Sequence, residues 1–160
     1  MKHIINLAGA ALFNVLVVFL VRFVETQGLQ PYVSGFADGV SVDDWLARFS
    51  DDATIGVGVA FGTFILWYLY GQFLFSPSAR GDSSARPMWI LFALPPFLMS
   101  LYQSFTMPVI SEGRLAVTGL LFLNTLLTFW FVTAMFSPTL VKTAPFLFDL
   151  PRKLRDALPW

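Results

Sequence analysis

Two pairs of adjacent aspartates come closest to a chemical site in this sequence. Asp43-Asp44 and Asp51-Asp52 lie in one polar stretch, and carboxylate oxygens are ligands that Ca²⁺ and Mg²⁺ bind in proteins. Their spacing does not match a calcium loop, and Asp43 and Asp44 follow Ser41 in the order typical of a helix N-terminus. We therefore interpret the pairs as capping and solvent-exposed groups, and we predict no metal site.

Other groups that could support catalysis are scarce. The chain has no cysteine and a single histidine, His3, which disfavours thiol chemistry and a His-ligated metal or haem. It contains no phosphate-binding loop ending in Lys-Ser/Thr, no G-x-S-x-G and no H-E-x-x-H. The apolar segments carry no Asp, Glu, Lys or His in their interior, which also disfavours a proton-coupled carrier. We predict that the chain is not an enzyme and binds no cofactor.

Amide and hydroxyl side chains inside the apolar segments offer hydrogen bonds. Asn14 lies near the middle of the first segment, and Asn124 and Thr128 lie one helical turn apart in the last. Because the two asparagines fall at similar predicted depths, we expect that they can bond each other. We interpret all three residues as helix-packing positions, and the alternative is that they line a transport path.

The stretch 53–76 has no charged residue and is the clearest membrane segment. At about 1.5 Å per residue it is long enough to cross a hydrocarbon core of roughly 30 Å. Gly56, Gly58 and Gly62 occupy its first half and include a G-x-x-x-G pair, which predicts close packing on another helix. Aromatic residues crowd its second half and predict an anchor at a membrane interface; with two tryptophans from other segments they form one predicted belt, made of Trp67, Tyr68, Tyr70, Trp89 and Trp130.

Composition places these segments in an all-α integral membrane protein. Of 160 residues, 56% are hydrophobic, and the mean hydropathy is +0.69, above the composition of soluble proteins. We predict one domain, 1–160, with transmembrane helices at about 4–24, 53–76, 88–107 and 115–137, an outer loop at 25–52, a cytoplasmic loop at 78–87 and a cytoplasmic tail at 139–160.

The predicted loops contain two amphipathic segments. Glycines and Pro31 break the outer loop into turns, and Trp45, Leu46 and Phe49 form the apolar face of a short helix expected on the membrane surface. Arg22, at the outer edge of the first segment, is expected to pair with Glu25. The tail carries a second amphipathic helix, which we expect either to lie on anionic headgroups or to dock a cytoplasmic partner; its candidate contacts are Arg152, Lys153, Arg155 and Trp160.

Two adjacent prolines, Pro95 and Pro96, interrupt the third segment. They remove two backbone donors and predict a kinked or unwound helix. Broken spans occur in transporters, and a kinked structural helix is the other interpretation. The second and fourth segments both end in Phe-Ser-Pro, an offset that aligns Gly58 with Gly119, another predicted packing position. This similarity suggests two helical hairpins in tandem.

The basic residues predict the orientation. With a cytoplasmic N-terminus, the outside holds Arg48, Arg114 and the borderline Arg22, which satisfies the positive-inside rule. Both termini are then cytoplasmic, and we expect the inner (plasma) membrane. The basic residues inside are Lys2, Arg80, Arg86, Lys142, Arg152, Lys153 and Arg155.

These observations leave two hypotheses for function. The first is a non-catalytic scaffold, anchor or sensor in a bacterial-type membrane assembly, formed with other copies or other membrane subunits, that docks a soluble cytoplasmic partner through Arg80, Arg86 and the tail. The second is a pore formed by a homo-oligomer, lined by the Asn/Thr stripe of the fourth segment or by the broken third segment. The bilayer is the expected partner, and ten basic residues balanced by ten acidic ones give no indication of nucleic acid.

Overall fold

The chain is helical throughout the part that the computed structural model describes, which comprises residues 2–75, 85–138, 141 and 145. Four helical segments are long and apolar enough to cross a membrane, which is consistent with a multi-pass membrane protein. This confirms the all-helical part of the predicted fold class and the predicted number of candidate spans. We refer to the segments as the first to fourth spans: His3–Gly35, Val42–Leu74, Arg86–Thr106 and Ser111–Phe136.

Three of the four spans contain a π-helical turn, in which one extra residue per turn widens the helix. The first span consists of α1 (Lys2–Phe19), a π-helical turn (Leu20–Glu25) and α2 (Thr26–Phe36). The second consists of α3 (Val42–Leu69) and a π-helical turn (Tyr70–Leu74). The third is α4 (Arg86–Thr106) alone, and the fourth consists of α5 (Ser111–Thr125), a π-helical turn (Leu126–Phe131) and α6 (Val132–Phe136).

The predicted outer loop is largely helical, which corrects the interpretation of residues 25–52. α2 continues the first span through Pro31, whose side chain is exposed together with Gln27 one turn earlier. The proline removes the donor to the Gln27 carbonyl, and solvent can replace it because that side of the helix is open. The helix α3 then begins at Val42, with the Ser41 side chain accepting a hydrogen bond from the Asp44 backbone N–H at 3.1 Å, as predicted.

The separate surface helix predicted around Trp45 is also wrong. Trp45 and Phe49 belong to the first turns of α3 and are fully buried, in one cluster with Val33 of α2. The Trp45 indole N–H donates to the Pro108 carbonyl at 3.0 Å. Burial against α2 and the loop between α4 and α5 therefore replaces the expected contact with the membrane surface.

The helix α3 is the central element of the bundle. It packs against both helices of the first span, against α4 and against α5. The first span also contacts the fourth, and α4 contacts α5, so the first and third spans flank a central contact between the second and the fourth. Residues 53–74 of the uncharged stretch singled out in the sequence lie within this central helix and the π-helical turn that follows it.

Helix α4 runs unbroken through its two prolines. Pro95 is exposed and Pro96 is buried, and the helix continues from Arg86 to Thr106. Two missing donors remove only the bonds to the carbonyls four residues earlier, and the remaining turns hold the helix. The expected unwinding is therefore wrong, whereas the kink at Pro95 and Pro96 stays a prediction.

The aromatic belt occupies one end of the bundle, but most of it is internal. Trp67, Tyr68 and Trp89 are buried, and Tyr70 and Trp130 are half-buried. The sequence predicts these rings as an anchor facing the interface, and three of them instead form part of the protein core. Much of the predicted 78–87 loop and nearly all of the predicted tail lie outside the described residues. The predicted contact residues that fall there are Arg80, Arg152, Lys153, Arg155 and Trp160.

Candidate functional site

Six polar residues, contributed by all four spans, link the helices, five of them through their side chains and Asp52 through its backbone carbonyl. We call this set the polar layer. It is built from three contacts between neighbouring helices, described in turn below. Its members are Glu25, Asp52, Ser100, Gln103, Asn124 and Thr125.

Glu25 and Asn124 connect the first span to the fourth. Glu25 is the last residue of the first π-helical turn, and Asn124 lies just before the π-helical turn of the fourth span. The Asn124 Nδ2 atom donates to Glu25 Oε2 at 3.2 Å, and Asn124 is only 3% exposed. The predicted partner of Glu25 was wrong, because Arg22 instead forms an ion pair of 3.2 Å with Asp51.

Ser100 and Thr125 connect the third span to the fourth. Their hydroxyl groups bond each other, and Ser100 Oγ also lies 3.1 Å from the Pro96 carbonyl oxygen and 3.3 Å from that of Leu121. Both side chains are buried. Each hydroxyl hydrogen therefore has an acceptor within the protein, which satisfies this contact internally.

Gln103 connects the third span to the second. It is 1% exposed, and its Nε2 atom donates to the backbone oxygen of Asp52 at 2.5 Å. The side chain occupies the space beside Gly56, where a Cβ atom would lie 3.1 Å from Gln103 Oε1. The absence of a side chain at Gly56 therefore makes room for a polar side chain of the third span.

The polar layer contains more acceptors than donors. Among the described residues, three buried oxygens of the layer have no hydrogen-bond partner: Asp52 Oδ2, Gln103 Oε1 and Asn124 Oδ1. Buried polar atoms are nearly always bonded, and an unbonded one costs about 1–3 kcal/mol. The layer therefore has the composition of a site that accepts hydrogen-bond donors or positive charge, although no cluster of three metal-ligating side chains occurs in the described part of the chain.

The remaining predicted packing residues are distributed over two environments. Asn14 and Thr128 are buried, and each bonds its own helix: Asn14 Nδ2 donates to the Ala10 carbonyl and Thr128 Oγ1 to the Asn124 carbonyl. In the described structure, Asn14 and Asn124 do not bond each other. The glycines Gly58, Gly62 and Gly119 are exposed, and a Cβ atom on any of them would meet no atom within 4 Å.

Of the six members of the polar layer, the sequence alone indicated only Asn124 as a hydrogen-bonding position between helices. Ser100 and Gln103 are three residues apart and so share a face of α4, a signal that the spacing of polar residues in the third span could have given. Glu25 and Asp52 lie at the two ends of the predicted outer loop, 25–52, where the sequence predicts no helix face. Arg86 begins α4 and is half-buried, which leaves its predicted role in partner contact open to experiment.

Comparison with known proteins identifies no relative: no family model, no curated protein and no solved structure matches this chain.

Proposed function

We propose that this chain is a non-catalytic subunit of a bacterial-type membrane assembly, in which it serves as a scaffold, anchor or sensor and associates with a second copy of itself. The observation that carries the proposal is the outward position of Gly58 and Gly62 on α3. Within the described part of the chain neither glycine lies against another residue, whereas Gly56 on the same helix does.

A physical argument connects these glycines to association. A glycine in a helix costs roughly 0.5–1 kcal/mol relative to alanine. Lipid tails solvate leucine as well as another protein does, so helices in a membrane associate where small residues let their backbones approach. Gly58 and Gly62 lie one turn apart on a face whose other exposed residues between 55 and 69 are apolar, namely Ile55, Leu66 and Leu69. This face fits the equivalent face of a second α3 helix.

The orientation and the soluble partner rest on charge. The excess of basic residues in loop 78–87 and tail 139–160 supports cytoplasmic termini and insertion in the inner membrane. The same residues would present a basic surface to a soluble cytoplasmic protein, with Arg80 and Arg86 in the loop and Arg152, Lys153 and Arg155 in the tail.

The alternative, a pore formed by several copies, has less support. Its proposed lining residues Asn124 and Thr128 are buried within a single chain, away from any surface that a second copy could reach. The other proposed lining is the third span, which the sequence predicts to be broken but which is a continuous helix.

The oligomeric state of Gly58→Leu and Gly62→Leu variants tests the proposal. Leucine would keep the backbones of two α3 helices apart, so we expect each variant to have a smaller mass than the wild-type oligomer by light scattering in mild detergent. Gly119→Leu is the matched control, because Gly119 is equally exposed but lies on α5. An unchanged mass in the α3 variants, or an equal loss in the control, would contradict association through this face.

A further inference from the structure

We propose that Glu25 and Asn124 form a proton-binding site between the first and fourth spans. The proposal concerns the chain by itself and is independent of the assembly proposed above. It begins with the depth of the pair. The side chains that directly precede the pair are exposed and apolar, namely Phe23 and Val24 before Glu25 and Leu123 before Asn124, whereas Arg22 and Gln27 of the first span are exposed and polar. Glu25 therefore lies within the first span but close to its polar end.

A carboxyl group within a membrane span indicates function more often than structure, and Glu25 lies within the first span. Charged side chains inside membrane segments are costly, and those that persist face the interior of the bundle and take part in ion or proton binding. Glu25 faces the interior, because its carboxyl group bonds Asn124, a residue that is 3% exposed.

The atoms of Asn124 specify which form of Glu25 fits. Its Nδ2 atom donates to Glu25 Oε2, and its Oδ1 atom is buried with no partner among the described residues. An ionised carboxylate only accepts hydrogen bonds, and so it cannot supply the donor that Oδ1 lacks. A protonated carboxyl group can donate its O–H to Oδ1 while its carbonyl oxygen still accepts from Nδ2. Proton binding thus converts one hydrogen bond between the spans into two.

Among the described residues, the charged groups around the turn do not offer Glu25 a counter-ion. The helix α2 carries no charged residue, and the basic side chain of α3, Arg48, donates to the Thr106 carbonyl at 3.0 Å. Arg22, on the same turn as Glu25, bonds Asp51 and Thr54. The remaining charged groups of α3 are acidic as well: Asp43, Asp44 and Asp52. The fourth span presents the neutral Asn124 to Glu25, so a proton is the positive charge that this site accommodates.

Infrared difference spectroscopy of the protein in lipid nanodiscs tests the proposal directly. We expect a carbonyl band of a protonated carboxyl group that disappears as the pH rises from about 5 to about 9. The band should be absent from Glu25→Gln and displaced in Asn124→Ala, where the amide donor is lost. Glu112→Gln is the matched control, because Glu112 is exposed at the start of α5 and its removal should leave the band unchanged.

Thermal unfolding provides a second measurement. A proton bound by the folded chain contributes stability that is lost as the pH rises through the titration of the site. For a chain of this length, a change of 1 kcal/mol in the free energy of unfolding shifts Tm by about 2–4 °C. We therefore expect the Tm of the wild type to fall by about 2–4 °C relative to that of Glu25→Gln as the pH rises over this range. The glutamine side chain also carries a donor and an acceptor but does not titrate. The Tm of Glu25→Gln should therefore stay constant over this pH range.

Three results would overturn the proposal. The first is a band that persists in Glu25→Gln, and the second is an identical pH dependence of Tm in the wild type and this variant. The third is a wild-type Tm that rises with sodium concentration at fixed high pH and does so only when Glu25 is present, because the site would then bind a metal cation. If Glu25→Gln does not fold, the displacement of the band in Asn124→Ala decides, and an undisplaced band overturns the pairing.

Discussion

The two ends of the bundle treat buried polar groups in different ways. At the end that contains the chain's N-terminus, the indole N–H of Trp67 donates to Ser137 Oγ at 2.7 Å and that of Trp89 donates to Thr133 Oγ1 at 3.0 Å. The two hydroxyl groups in turn donate to backbone carbonyls of the fourth span. We call Trp67, Trp89, Thr133 and Ser137 the tryptophan cluster. In the polar layer, by contrast, three buried oxygens lack partners among the described residues.

This difference separates a fixed contact from an adjustable one. In the tryptophan cluster each indole donor has a hydroxyl acceptor and each hydroxyl has its own acceptor, so the second, third and fourth spans are held in one arrangement. The polar layer offers acceptors that are not used, so a donor such as a proton can be added without breaking an existing bond. The same kind of side chain can therefore stabilise one end and leave the other responsive.

The largest effect that would sharpen this comparison is expected from Ser137→Ala. The substitution leaves the Trp67 N–H, which is fully buried, without its acceptor. We expect a loss of about 1–3 kcal/mol in the free energy of unfolding, because a buried donor without a partner retains its desolvation cost. Chemical unfolding in mixed micelles measures this change, with Ser34→Ala on the exposed face of α2 as the control. An unaltered stability would mean that this end is no more fixed than the other.

A smaller effect is expected from Gly56→Ala, which tests the packing of the polar layer. The new Cβ atom would lie 3.1 Å from Gln103 Oε1, so the amide must move and its bond to Asp52 must weaken. We expect a loss of about 1 kcal/mol, a typical value for one hydrogen bond. Gly119→Ala, at an open helical position, should instead gain up to about 1 kcal/mol because alanine favours the helix. Changes of the same sign in the two variants would contradict the difference in environment.

The sequence predicted the regular features of this chain and missed those that depend on contacts between helices. The four spans follow from uninterrupted apolar runs, and the N-terminal cap of α3 follows from Ser41 and Asp44. The burial of Trp45 could not be inferred, because its partners come from α2 and from the loop after α4. The inward position of Glu25 was hidden for another reason: a π-helical turn inserts an extra residue, so the faces of α1 do not extend to it with regular helical spacing.

The smallest effect is expected from Gln103→Met, and it separates the two ends most clearly. Methionine has a similar length, removes the unpartnered Oε1 atom and also removes the donor to the Asp52 carbonyl. That carbonyl lies inside α3 and still accepts a hydrogen bond from the backbone N–H of Gly56, so it loses only one of its two hydrogen bonds. Removing a bond together with an unbonded acceptor should change the free energy of unfolding by about 1 kcal/mol or less, in either direction. Gln27→Met, on the exposed face of α2, controls for the apolar substitution. If Gln103→Met costs as much as Ser137→Ala, then Oε1 is bonded in the membrane, and the polar layer is as fully satisfied as the tryptophan cluster.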